Sequence, residues 1–217
     1  MNRRIIVNRI PGEQRIALIE DSKLVEFSVI RDNESYYLGN IYKGKVKRII
    51  KGMESAFVDF GAERTGFIYV QDLKKNISYE EYQKNIDDAD GEEMEVVNEN
   101  LFEYVKEGQD IIVQVIKEPI GSKGARLTTH VSIPGRFAVL MPTIAHVGIS
   151  KKITDPETRD ALKELGRKVK EKGYGIILRT MAASAEVKTV EKEIVSLIRE
   201  WQEIEASFKK EKSGALI

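Results

Sequence analysis

Between residues 3 and 30 apolar and polar positions form short β-like runs separated by turn formers. Ile5, Ile6 and Val7 lead to a turn at Pro11-Gly12. Ile16-Ala17-Leu18-Ile19-Glu20 leads to Asp21-Ser22, and a third run goes from Leu24 to Val29. A second group of runs falls at 41–50, 55–60, 66–70 and 111–117, followed by a strand-like stretch near 125–131. Five short strands of this kind suit a small β-barrel of the OB type. Gly61-Ala62-Glu63-Arg64-Thr65-Gly66 is the connection between two of them. Residues 71–107 interrupt the pattern. Asp90-Gly91 reads as a turn, and nine acidic residues lie between Asp87 and Glu107. A helical and loop insertion with a solvated acidic surface is expected there; the acidic spacing does not fit a calcium loop of the EF-hand kind.

After Gly135 the pattern changes. Phe137-Ala138-Val139-Leu140-Met141 predicts a buried strand ended by Pro142. Thr154 or Asp155 can cap a helix with Pro156 in its first turn. Leu162, Leu165 and Val169 form its apolar stripe and Gly173 ends it. Gly175 to Thr180 then reads as a strand with a polar exit. From about Ser184 to Lys212, Val187, Val190, Ile194, Leu197, Trp201, Ile204 and Phe208 recur at alternating spacings of three and four. That seam predicts a long helix, packed either on its own domain or on a second chain as a homo-oligomer. Gly214-Ala215-Leu216-Ile217 has the pattern of a strand beginning, so the expectation is a piece of a longer protein. The fold class is α+β.

Composition narrows the chemistry. The 217 residues contain no cysteine and two histidines, His130 and His146, which excludes disulfides and thiolate metal sites and disfavours a multi-histidine zinc site. No apolar run approaches the roughly 20 residues that span a bilayer, and Met1 to Val7 is too short for a signal peptide. A cytoplasmic location is the expectation. With 35 basic and 35 acidic residues the net charge is zero, so any nucleic-acid site must arise from local segregation of charge.

Such segregation is visible. In Ser55-Ala56-Phe57-Val58-Asp59-Phe60, alternation gives Ala56, Val58 and Phe60 to an apolar face and Phe57 to the other, with Asp59. Phe67 and Tyr69 likewise share a face opposite Ile68 and Val70. Outward rings on two neighbouring strands are stacking platforms for unpaired bases; the other reading is that they cover a seam with the insertion. Lys43, Lys45 and Lys47 share one face of the run at 41–50, with Lys51, Lys123 and Arg126 in adjoining segments. Arg179-Thr180 ends an apolar strand, where a guanidinium and a hydroxyl can grip a phosphate. No hydrolytic constellation is apparent.

Asn40-Ile41-Tyr42-Lys43-Gly44-Lys45-Val46 and Ala56-Phe57-Val58-Asp59-Phe60-Gly61-Ala62-Glu63-Arg64-Thr65-Gly66-Phe67 resemble the RNase E/G family. Gly121 to Thr129, Val139-Leu140-Met141-Pro142, Gly148-Ile149-Ser150 and Leu178-Arg179-Thr180 extend the resemblance in the family's order across nearly the whole chain. It implies a first piece of an RNase H-like subdomain at 1–35 and an inserted S1-type OB domain at 36–127, carrying the acidic insertion 71–107. A 5′-sensor region at 128–183 follows, then the long helix and the start of the RNase H-like return segment at 184–217.

By position, Phe57, Phe67 and Lys123 match the family's RNA-contacting residues, and Lys43 and Lys45 join them as candidates. Val139, Arg179 and Thr180 match the 5′-phosphate pocket. Lys151 stands where the best-known members have a second arginine; it keeps the charge but loses the fork. The resemblance further implies a parent endoribonuclease of RNA processing and decay, including mRNA decay and rRNA processing. Its magnesium-binding aspartates sit in a DNase I-like domain beyond Ile217, as does a zinc-linking cysteine motif. This chain alone is then expected to hold no metal or cofactor and to have no catalytic residue. It is expected to bind single-stranded RNA with a 5′-monophosphate, show no DNA specificity, and not cut. The alternative is a stand-alone RNA-binding regulatory protein.

Overall fold

A computed structural model describes residues 2–31, 36–73, 104–121 and 123–217. The expected insertion falls largely outside these residues, as does the side chain of Lys51. Contacts divide the chain into two compact units, Met1–Tyr37 and Leu38–Ile217.

The first unit is an antiparallel meander of β1 (Arg3–Ile10), β2 (Glu13–Glu20) and β3 (Lys23–Arg31). Its turns lie at the expected places. Asp21 and Ser22 both take positive φ, the backbone that lets a two-residue hairpin turn follow the strands' twist. Ile5 faces Leu18 across one pair, while Ile6, Ala17 and Phe27 are in register across all three strands. Both faces therefore carry apolar side chains.

The second unit begins with a closed barrel in the order β4–β5–β6–β8–β7. Its strands are β4 (Ile41–Ile50), β5 (Ser55–Asp59), β6 (Gly66–Tyr69), β7 (Asp110–Lys117) and β8 (Arg126–Thr128). Closure leaves no edge strand and turns one set of alternating side chains inward. Val46, Val58, Phe60, Ile68, Val113 and Leu127 are fully buried. At the barrel's end His130 is buried, with its ring Nε2 3.3 Å from the Gln71 carbonyl oxygen. Burial holds its imidazole below the ordinary pKa of 6.5, against the pull of that carbonyl. The unfolded chain therefore binds more protons than the native one just below pH 6.5. Stability should fall as pH drops from that value through the depressed native one, by at most about 1.4 kcal/mol per pH unit. His130→Gln should flatten this stretch of a plot of urea midpoint against pH. An unchanged slope would assign the loss to other groups.

A four-stranded sheet follows, ordered β11–β12–β10–β9, from β9 (Ile133–Pro134), β10 (Ala138–Met141), β11 (Val147–Ile149) and β12 (Gly175–Leu178). The β11–β12 pair is parallel and is joined by helix α1 (Pro156–Glu171). Asp155 caps α1, accepting from the Thr158 N–H at 2.8 Å, and Pro156 occupies the first turn. Helix α2 (Val187–Lys210) lies against the sheet. Val190, Ile194, Leu197, Trp201 and Ile204 join Leu140, Leu162, Ile176 and Leu178 in one core. The seam thus packs on its own domain, which is the first of the two alternatives for it; its outermost member, Val187, is exposed. The last residues return to the barrel. Gly214 N–H donates to the Lys43 carbonyl and Ile217 N–H to that of Ile41. The approach is close: a Cβ on Gly61 would lie 2.1 Å from the Gly214 carbonyl oxygen.

Candidate nucleic-acid interface

On the barrel, strand register sets Phe57 directly opposite Phe67. Alternation buries Ala56, Val58 and Ile68 completely and leaves Phe57, Phe67 and Tyr69 half-exposed. The Phe67 and Tyr69 rings meet edge to face, with centroids 5.4 Å apart. Three rings thus share the outer surface of two adjacent strands.

The neighbouring strand contributes a residue that alternation alone misses. A β-bulge in β4 between Val46 and Arg48 exposes Lys47 and Arg48 together, and pairs Arg48 with Phe57. The signal for it lies in the spacing of inward residues: Gly44 and Val46 are two apart, but Val46 and Ile49 are three apart.

The lysines are less free than their sequence suggests. Lys47 Nζ lies 3.1 Å from Asp59 Oδ2, and Lys45 Nζ 2.8 Å from Asp110 Oδ1. Lys43 donates to the Phe208 carbonyl at 2.8 Å and sits 4.9 Å from that residue's ring centroid. Its side chain is 13% exposed. Lys43 is committed to the end of α2 and is not brought to the rings. The Gly61 N–H, then Lys47, holds the Asp59 carboxyl below its ordinary range. Hydrogen bonds from Lys45 and Ser213 do the same for Asp110.

Arg126 requires a correction. It is not part of a surface basic row: it is buried, and its Nη2 lies 3.2 Å from Asp72 Oδ2. Its guanidinium carbon is 5.1 Å from the Tyr69 ring centroid, so it braces the ring cluster. Lys123 is exposed and forms an isolated antiparallel bridge with Ile120. Two residues on, the Ala125 carbonyl accepts from the Phe67 N–H at 2.9 Å.

A separate cavity of about 600 Å³ opens on the four-stranded sheet. Its lining includes Arg136, Val139, Ser150, Ile177, Arg179 and Thr180. Val139 and Ile177 are paired in register on β10 and β12. Arg179 follows β12; its N–H donates to the Phe137 carbonyl, and one Nη donates to the Gly135 carbonyl, both at 2.7 Å. Thr180 Oγ1 and Ser150 Oγ are 2.8 Å apart. Lys151 is exposed next to Ser150 and is not part of the lining. Arg136 and Glu193 were not singled out by sequence, and Ser150 entered only as the end of the run Gly148-Ile149-Ser150. The Glu193 carboxylate, reaching from α2, accepts from the backbone N–H groups of Arg136, Phe137 and Ala138 at 3.1, 2.7 and 3.0 Å.

Planar guanidinium forks beside hydroxyls suit phosphate, and rings beside cations suit an unpaired nucleic-acid strand. Among the described residues, no group of three or more His, Cys, Asp or Glu could hold a metal ion. No described helix is long and apolar enough to cross a membrane.

Comparison with known proteins assigns the class. A match to the Ribonuclease E/G family covers residues 132–217. Ribonuclease G of Haemophilus influenzae is 39% identical over 200 residues, covering 92% of this chain and 39% of that protein. Ribonuclease G of Escherichia coli K12 is 34% identical over 204 residues, covering 94% of this chain and 40% of its own length. Ribonuclease E of Buchnera aphidicola subsp. Schizaphis graminum is 33% identical over 219 residues, covering 99% of this chain and 21% of its own. The chain belongs to the ribonuclease E/G family. It spans about two fifths of the length of the ribonuclease G relatives it matches.

Proposed function

We propose that this chain is the RNA-binding and 5′-end-sensing part of a single-strand-specific, magnesium-dependent endoribonuclease acting in RNA processing and decay. The observation that carries the reading is the cavity. Arg179, Thr180 and Val139, scattered over forty residues of sequence, line one space on the sheet. The barrel supports it as an S1-type OB domain: Phe57 and Phe67 offer ring faces to bases, while Lys123 and Lys45 offer charge to the backbone. Residues 1–35 are then a piece of an RNase H-like subdomain. Magnesium and strand cleavage belong to the remainder of such a protein, and this chain binds RNA without cutting it.

A 5′-monophosphate offers the Arg179 guanidinium and the Thr180 hydroxyl an anionic partner; a 5′-hydroxyl does not. One lost charge-assisted hydrogen bond costs roughly 1.5–3 kcal/mol, so a preference of about tenfold or more is expected. The measurement is the affinity of the purified chain for one short single-stranded oligoribonucleotide carrying either end, with native protein and with Arg179→Ala. Equal native affinities would overturn end sensing. A preference undiminished in Arg179→Ala would move the phosphate site elsewhere. Magnesium-dependent cleavage in the same samples, persisting through repurification, would overturn the non-cutting role.

A further inference from the structure

We propose that Arg136 is the second guanidinium of the cavity, gripping the same terminal phosphomonoester as Arg179, and that Glu193 is the residue that positions it. The proposal rests on the end-sensing reading above. A phosphomonoester carries about −1.5 to −2 charge at neutral pH, more than one guanidinium balances. Arg179 already gives one N–H to the Gly135 carbonyl. The family resemblance assigns the second cation to Lys151, yet that side chain does not line the cavity, whereas Arg136 does.

The turn carrying Arg136 is fixed by three sets of hydrogen bonds. Gly135 N–H donates to the Ala138 carbonyl at 2.7 Å and closes the turn. Glu193 gathers the three N–H groups from Arg136 to Ala138. Arg179 also holds the turn, through its own N–H to the Phe137 carbonyl and its Nη to that of Gly135. The two arginines are therefore parts of one hydrogen-bonded unit, and α2 sets the position of both. No side chain larger than hydrogen fits at Gly135 with Glu193 in place, since a Cβ there would lie 2.5 Å from its Oε1. The Arg136 guanidinium carbon is 5.2 Å from the Phe137 ring centroid, a cation–π contact that restricts the side chain before a ligand arrives. Restricting a fork in advance lowers the ordering cost of binding. Arginine at 136 thus supplies what lysine at 151 lacks: planar, paired donors aimed by a braced backbone.

The test compares the 5′-monophosphate and 5′-hydroxyl oligoribonucleotides by fluorescence anisotropy, with a thermal melt for every variant. Arg136→Ala should lower the preference for the phosphate by about tenfold, as expected for one lost charge-assisted contact, and leave affinity for the hydroxyl end unchanged. Arg136→Lys should fall between Ala and native. Lys151→Ala should leave the preference intact. Glu193→Gln should weaken the preference without changing hydroxyl-end affinity. An equal loss at both ends would instead make Glu193 merely structural and overturn its positioning role. A native-like preference in Arg136→Ala, or a preference abolished by Lys151→Ala alone, would overturn the assignment of Arg136. Absence of any preference in the native chain is a different result, and would remove the end-sensing reading along with it.

Discussion

Asp72→Ala should destabilise the second unit by about 3–5 kcal/mol, the cost of removing one partner of a buried ion pair and leaving the other charge unmatched. Asp72 and Arg126 are 2% and 4% exposed, and the side chains meet at 3.2 Å. Burial pushes the Asp72 carboxyl above its ordinary range, and Arg126 pulls against it. The backbone at Asp72 is anchored as well: Thr129 donates to its carbonyl through both its N–H and its hydroxyl. Urea unfolding of Asp72→Ala, Arg126→Met and the pair Asp72→Leu/Arg126→Met would check the account. The double variant should be more stable than Asp72→Ala, because a hydrophobic pair removes both charges from the interior together. A single-variant loss below about 1 kcal/mol, the range of exposed pairs, would show that the pair is not buried in solution.

This ion pair marks where the sequence could be read and where it could not. Strands on the barrel were legible because one face of each is buried. Alternation in 55–60 and 66–70 named the inward residues, and the same parity placed Phe57, Phe67 and Tyr69 outside. The seam of α2 was legible as a seam, but its spacing alone could not choose between a domain core and a second chain. The core around Trp201 makes that choice. Arg126 misled because a charge in a short strand reads as surface, and its partner, Asp72, lies fifty-four positions earlier. Arg48 was hidden by the bulge that shifts its parity. Arg136 and Glu193 were hidden because a surface arginine and a helix glutamate are ordinary residues until the tertiary fold joins them through backbone N–H groups. Of the cavity residues, Arg179 and Thr180 were legible as the polar exit of an apolar strand, while Val139 came from family resemblance alone. Lys43 shows the limit of a charge row, since strand alternation gives its face but not the helix end that occupies it.

Phe57→Ala and Phe67→Ala should each weaken single-stranded RNA binding by about 1–3 kcal/mol, the range for losing one ring that stacks on a base. The rings are half-exposed and opposite one another, so truncation leaves the barrel interior intact. Phe60 provides the contrast within the same segment: it is fully buried, with its ring centroid 5.2 Å from that of Tyr42. Phe60→Ala should cost about 3–5 kcal/mol of folding stability, as core aromatic truncations do. Phe57 and Phe67 share a register pair and can engage adjacent bases. The double variant should therefore lose less than the sum of the single losses, a coupling of the size expected for residues in contact. Arg48→Ala should weaken binding further and lower the steepness of its salt dependence. Each phosphate contact on single-stranded nucleic acid adds about −0.7 to the slope of log K against log salt. Binding titrations at several salt concentrations, run beside thermal melts, separate the two classes of effect. If Phe57→Ala and Phe67→Ala lowered the melting temperature as Phe60→Ala does while folded protein kept native RNA affinity, the rings would be part of the fold and the platform would have to be sought on another face of the barrel.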